Sequence, residues 1–233
     1  MRYQWVDAVW RLDYSELKNA LLKHPYTEEA GSGFILDEAY RNNKLSGRYI
    51  QKEVKTIESR SPLGYIETYF QTIYQNHSFQ IDMDSPYSLL LIDPPKSSIP
   101  LTSALGRATS FKISIQSPSI NLVTWLDLIR LNLKKYSLQK LDIAQVKLSN
   151  NILGNLSLKG DGDLLEELKK IPNNTSGKII RAEFYFSTED GEGRATITYQ
   201  GVAKVHNTSI NRYFIQILKN TLNDVAKTRV INN

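Results

Sequence analysis

Few side chains in this sequence combine a type and a spacing that could do chemistry. Asp93 follows the apolar run Leu89-Leu90-Leu91-Ile92 and precedes Pro94, Pro95 and Lys96, which makes it the one carboxylate placed to act as an acid or base. The same residues also read as a simple strand stop, because proline cannot continue a ladder. His24, His77 and His206 are scattered, with no pair spaced i, i+4 that would hold a metal from one helix. Gly160-Asp161-Gly162-Asp163 with Glu166 and Glu167 offers oxygen ligands. It lacks the alternating order and the distant bidentate glutamate of a calcium loop, and reads as a glycine turn before a helix capping box. No nucleophile elbow, phosphate loop or dinucleotide fingerprint is present. With no cysteine, disulfides, thiolate catalysis and cysteine-based metal sites are excluded. No metal and no cofactor are expected.

The segment Leu89 to Lys96 resembles the catalytic motif of DNA adenine and cytosine-N4 methyltransferases. There an acidic or amide side chain and a backbone carbonyl hold the target amino group, and an aromatic residue stacks on the flipped base. Ala30-Gly31-Ser32-Gly33-Phe34 is similar to that family's glycine-rich S-adenosylmethionine loop. The resemblance implies that Asp93 would hold the amino group. Lys96, however, takes the place of the aromatic, and Pro25, Glu28 and Glu29 stand where the family has an apolar strand. The chain between the two segments also reads as a β-meander, where the family needs alternating βα units.

Binding chemistry is better represented. The net charge is +5. Residues 121–233 hold 16 Lys or Arg against 11 Asp or Glu, whereas residues 1–120 are balanced at 13 of each. Arg130, Lys134, Lys135, Lys140, Lys147 and Lys159 form the most basic window, against Asp127 and Asp142. Such a window can neutralise phosphates or be a solvated surface. Tyr65, Tyr69 and Tyr74 lie with Phe70 in one aromatic-rich stretch. Tyr65 and Tyr69 share their strand face with Glu67 and Gln71, the pattern of a half-exposed surface suited to a protein interface. Glu189, Asp190 and Glu192 form an acidic hairpin tip.

The elements that must position these residues follow from periodicity. A strand over residues 2–12, with Val6, Ala8, Trp10 and Leu12 on one face, leads to a helix capped by Asp13 with Glu16 three residues on. Leu17, Ala20, Leu21 and His24 line that helix until Pro25. Strands are expected over 34–40, 45–57, 65–74, 79–83 and 88–92, with turns at Asn42-Asn43, Ser61-Pro62, Asn76 and Ser85-Pro86. Residues 93–107, rich in Pro and Ser, read as an irregular connector. A strand over 111–116 and an apolar helix over 120–136 follow. A hairpin followed by a helix then occurs twice: strands 140–148 and 152–159 with helix 163–171, and strands 178–186 and 194–205 with helix 210–225. The first hairpin changes phase near Ala144, which predicts a β-bulge. Asp190-Gly191 makes the second turn.

These patterns predict an α+β protein: a β-rich subdomain over residues 1–107 and a second over 108–233, the latter running β-α-β-β-α-β-β-α. That order resembles TATA-binding-protein-like and bacterial effector-binding folds, which implies an antiparallel sheet with helices on one face. The first residues show no apolar leader, and no run of 18 apolar residues occurs, so a cytoplasmic protein without membrane contact is expected. The leading functional reading is a non-enzymatic subunit that binds a protein partner or a second copy of itself. A nucleic-acid-binding module using the basic window is the second reading, and a methyltransferase-like enzyme the third.

Overall fold

The computed structural model describes residues 1–37, 43–149, 152–160, 164–170, 177–206 and 211–231. The fold is α+β, dominated by a large antiparallel sheet. Its first elements are β1 (Arg2–Trp10), α1 (Tyr14–Leu22), β2 (Ser32–Leu36), β3 (Lys44–Arg60), β4 (Ile66–Asp82) and β5 (Leu89–Ile92). Then come α2 (Ile99–Ala108), β6 (Ile113–Gln116), α3 (Leu122–Leu131), β7 (Lys135–Ser149) and β8 (Ile152–Lys159). The last are α4 (Leu164–Lys170), β9 (Lys178–Thr188), β10 (Gly191–Thr198), β11 (Val202–His206) and α5 (Asn211–Ile231).

The chain divides into two compact units, and β1 contributes to both. One unit, called here the ribbon unit, comprises Ala8–Asp84 and Ser88–Ile115. The other, the helix-backed unit, comprises Met1–Asp7, Ser85–Tyr87 and Gln116–Asn233.

In the ribbon unit the sequence signals at α1 are realised in full. Asp13 accepts from the Glu16 amide at 2.8 Å, and Glu16 accepts from the Asp13 amide at 3.0 Å, satisfying two amides that the helix itself leaves open. Leu17 and Leu21 are fully buried, while His24 is exposed. Strands β2-β3-β4-β5 lie in that order, all antiparallel. Leu45, Tyr49, Phe79, Ile81, Leu89 and Leu91 form its buried face. Gly33 is a glycine for a clear reason: a Cβ there would stand 2.3 Å from the Pro25 carbonyl oxygen.

Two expectations for this unit are corrected. The expected turn at Asn76 does not occur; β4 runs unbroken, with Asn76 opposite Ile50. Asparagine is turn-prone, but β3 is long enough to pair with β4 throughout, and that ladder overrides the local preference. The stretch 93–107 is not wholly irregular either, because it contains α2. Pro100 sits in the first turn, where its missing N–H is no loss, and Leu101, Ala104 and Leu105 are buried at helical spacing.

In the helix-backed unit the strand order is β1-β11-β10-β9-β7-β8. Side chains alternate across each strand. Tyr3 and Trp5, Leu138 and Leu141, Ala182, Phe184 and Phe186, Ala195 and Ile197, and Ala203 and Val205 are buried on one face. Helices α3 and α5 back that face. Phe214 stacks on Phe186 at 3.7 Å between centroids, and Trp125 meets Trp5 edge-on at 6.2 Å while donating to Thr221 Oγ1 at 3.1 Å. The bulge expected near Ala144 is present as a register shift between Ile143 and Val146, with Gln145 at φ 59°.

Three expectations for this unit need correction. The strand expected over 194–205 is two strands, β10 and β11, joined by a tight turn through Gly201 at φ 74°. The helix expected over 120–136 spans only Leu122–Leu131. Asn121 caps it by accepting from the Val123 and Thr124 amides, and Asn132 closes it by donating to the Leu128 carbonyl at 2.8 Å. Apolar periodicity continued past that end, but Leu131 is exposed and Tyr136 packs in β7 against Phe184. Strand β1 is buried on both faces, Tyr3 and Trp5 on one and Val6 and Ala8 on the other, so a single period-two face understates it. Asp163, Thr208 and Ser209, read as helix caps, lie outside the described residues.

Candidate functional site

Two surfaces carry the chemistry, one in each unit. The first is the face of the helix-backed sheet that the helices leave open. Because Phe184 and Phe186 point to the core, Glu183 and Tyr185 must point outward. The strand pairing then sets one lateral row of Arg2, Lys204, Thr196, Glu183, Lys140 and Lys159 across the strands from β1 to β8. A neighbouring row is His206, Arg194, Tyr185 and Ser137.

Around these rows the face gathers Arg2, Lys135, Lys140, Lys159, Arg181, Arg194 and Lys204 against Asp142, Glu183 and Glu192. Arg194 pairs with Glu183, Lys140 with Asp142 at 3.0 Å and Lys135 with Glu192 at 3.9 Å. Cations therefore outnumber carboxylates, even with each carboxylate paired. Tyr185 is half exposed, with the Arg194 guanidinium 6.0 Å from its ring centre. A cavity of about 630 Å³ opens here, lined by Lys135, Ser137, Tyr185, Glu192, Arg194 and His206 among others. Partial desolvation, then the nearby Lys204 and Arg194 cations, hold His206 below the ordinary histidine range.

Of the basic residues singled out by sequence, Lys135, Lys140 and Lys159 share this face. Lys147 faces the same way beyond the bulge, opposite the exposed Leu153. Lys134 precedes β7 and pairs with Glu189 at 3.3 Å. Arg130 is not brought to the face, since it ends α3, which packs on the covered side. Arg2, Arg181, Tyr185, Arg194, Lys204 and His206 were missed. Their signal was alternation with core residues in each strand, but only the strand order makes them neighbours.

The second surface is the distal ribbon of β3 and β4. At its base one face is core. Beyond Lys52 and Tyr74 the ladder continues from Val54–Thr72 to Arg60–Ile66 with both faces largely in solvent. The tip turns through Ser61 and Gly64, whose φ is 88°. Leu63 is 83% exposed, Phe70 75% and Tyr65 69%, and Val54, Ile66, Tyr69 and Tyr74 are each more than half exposed. Tyr65 and Tyr69 share one face as expected. Tyr74 lies on the other, with Ile66, Phe70, Val54 and the threonines Thr56, Thr68 and Thr72. Lys52, Lys55 and Arg60 balance Glu53, Glu58 and Glu67, so the ribbon has no net field.

Where the ribbon leaves the core, Glu28 bonds Lys52 at 2.9 Å, Tyr26 at 2.8 Å and Tyr74 at 3.4 Å. The Lys52 ammonium, then the Tyr26 hydroxyl, hold the Glu28 carboxyl below the usual range. Desolvation and the Glu28 carboxylate push the Tyr26 hydroxyl up to about 12. Three ladder pairs nearer the core His77 is buried against Tyr49, and among the described residues neither ring nitrogen has a hydrogen-bond partner; burial holds its pKa down.

Asp93 follows β5, exposed and in the left-handed region at φ 43°. The glycine segment Ala30–Phe34 leads into β2, three strands away with β3 and β4 between, roughly 14 Å at the usual strand spacing. The two methyltransferase-like segments are therefore not neighbours. Among the described residues, no helix is long and apolar enough to cross a membrane. No protein-family model matches this chain, and a search of curated proteins finds none that matches it.

Proposed function

We propose that the protein is a non-enzymatic intracellular binding subunit that docks a protein partner on the β3–β4 ribbon. The observation that carries this reading is the set of large apolar side chains standing in water on a two-stranded ladder, Phe70 on one face, Tyr65 on the other and Leu63 at the tip. Two strands alone are marginal in water, and contiguous exposed apolar surface marks interaction sites. Balanced charge along the ribbon favours a protein surface over a polyanion. Threonine and aromatic side chains on the Phe70 face suit packing against another sheet or helix.

The test is the mass of the purified chain by light scattering, followed by partner recovery from its native cell. A dimer dissolved by Phe70→Glu would identify the partner as a second copy. A stoichiometric partner retained by the parent and lost by Phe70→Glu would identify another protein. Either loss should cost about 2 kcal/mol or more, the scale of a central aromatic anchor. A stable monomer that recovers no partner ends the proposal.

A further inference from the structure

We propose a second, independent site: the open face of the helix-backed sheet is a platform for single-stranded nucleic acid, with a base stacked on Tyr185 and phosphates held along the Arg2–Lys204 and Lys140–Lys159 pairs. Three observations meet there. The cationic side chains lie side by side across the strands, so they act together on a backbone laid over the sheet. Tyr185 stands between them with half its surface in water, and Arg194 lies over its ring, which lets a base meet both a π-face and a guanidinium. The cavity of about 630 Å³ beside Tyr185 is of the size that takes a nucleotide-sized ligand.

A single strand fits better than a duplex because the aromatic sits in the middle of a sheet face, where only an unstacked base could reach it. The acidic residues do not reverse the field. Glu183, Asp142 and Glu192 are each paired to a cation of the same face, and Lys204, Lys159 and Arg181 add to it. Ser137 and Ser187, in the same cavity, can bond base edges or ribose.

The experiment uses the full chain with labelled single-stranded RNA, single-stranded DNA of the same sequence, and the matching duplex, at roughly 50 and 200 mM salt. Single strands should bind with affinity falling steeply as salt rises. Tyr185→Ala should weaken single-strand binding about tenfold with little change in salt slope, and Tyr185→Phe should keep it. Lys204→Glu with Lys159→Glu should lower the salt slope, whereas Lys227→Glu on α5 should change neither quantity. Unchanged thermal midpoints establish that the variants are folded. A preference between the RNA and DNA arms assigns the natural strand, and either assignment supports the platform. No single-strand binding at 50 mM overturns the proposal. So does duplex binding as tight as single-strand binding with Tyr185→Ala without effect, or equal loss in Lys227→Glu.

Discussion

Gly201 shows how much one residue can decide. It turns β10 into β11 at φ 74°, a conformation other residues pay strain to adopt. A Cβ there would also stand 2.8 Å from both the Trp5 carbonyl oxygen and Pro118 Cγ. Gly201→Ala should therefore destabilise by more than about 1 kcal/mol, read as a lower denaturant midpoint. Gly64→Ala at the ribbon tip shares the positive φ but meets nothing within 4 Å, so it should cost less. The difference between the two isolates the clash. At the same scale, the Asp13–Glu16 box was legible because every atom of it lies within four residues. The bond between Tyr74 and Glu28 was not, because the two lie 46 residues apart in the chain.

Among the elements, the ribbon is the clearest case of a part built for something other than the core. The largely exposed part of each strand, residues 54–60 and 66–72, is about 20 Å long at roughly 3.3 Å per residue. Replacing residues 54–72 by Asn-Gly joins Glu53 to Ile73, which already face each other in the ladder, through a two-residue turn. That variant should keep the parent's thermal midpoint within a few degrees and lose the partner proposed for Phe70. A collapse of the fold would instead make the ribbon structural. Helix α2 teaches the complementary lesson. Pro94, Pro95 and Pro100 counted as breakers along the sequence, yet Pro100 is compatible with a first turn, and the burial of Leu101 and Leu105 makes the rest of the stretch helical.

Over the whole molecule, acid should be the destabilising direction, and the sign follows from two groups. Burial holds His77 below its ordinary range, so the unfolded chain takes up that proton at higher pH than the folded one. Its contribution is complete above the ordinary histidine range and is lost as pH falls through and below it. Glu28, held low by Lys52 and Tyr26, adds a further loss where carboxylates protonate. Thermal midpoints near pH 7.5 and 5 should thus show a drop in the parent that His77→Phe reduces. An identical drop in the variant would remove His77 as the cause.

The sequence by itself determined the local devices and the class: the α1 capping box, the bulge beside Ala144, the turn after Thr188, the alternation that buries Phe184 and Phe186, and an α+β chain rich in antiparallel pairing. These rest on contacts a few residues long, or on a period that any isolated strand must obey. Only the tertiary structure decided that β1 lies beside β11 and β9 beside β7. That order puts Arg2 next to Lys204 and Lys140 next to Glu183, and leaves Arg130 on the other side. It depends on burying residues far apart in the chain, such as Trp5 with Trp125 and Phe186 with Phe214, and no local spacing encodes those choices.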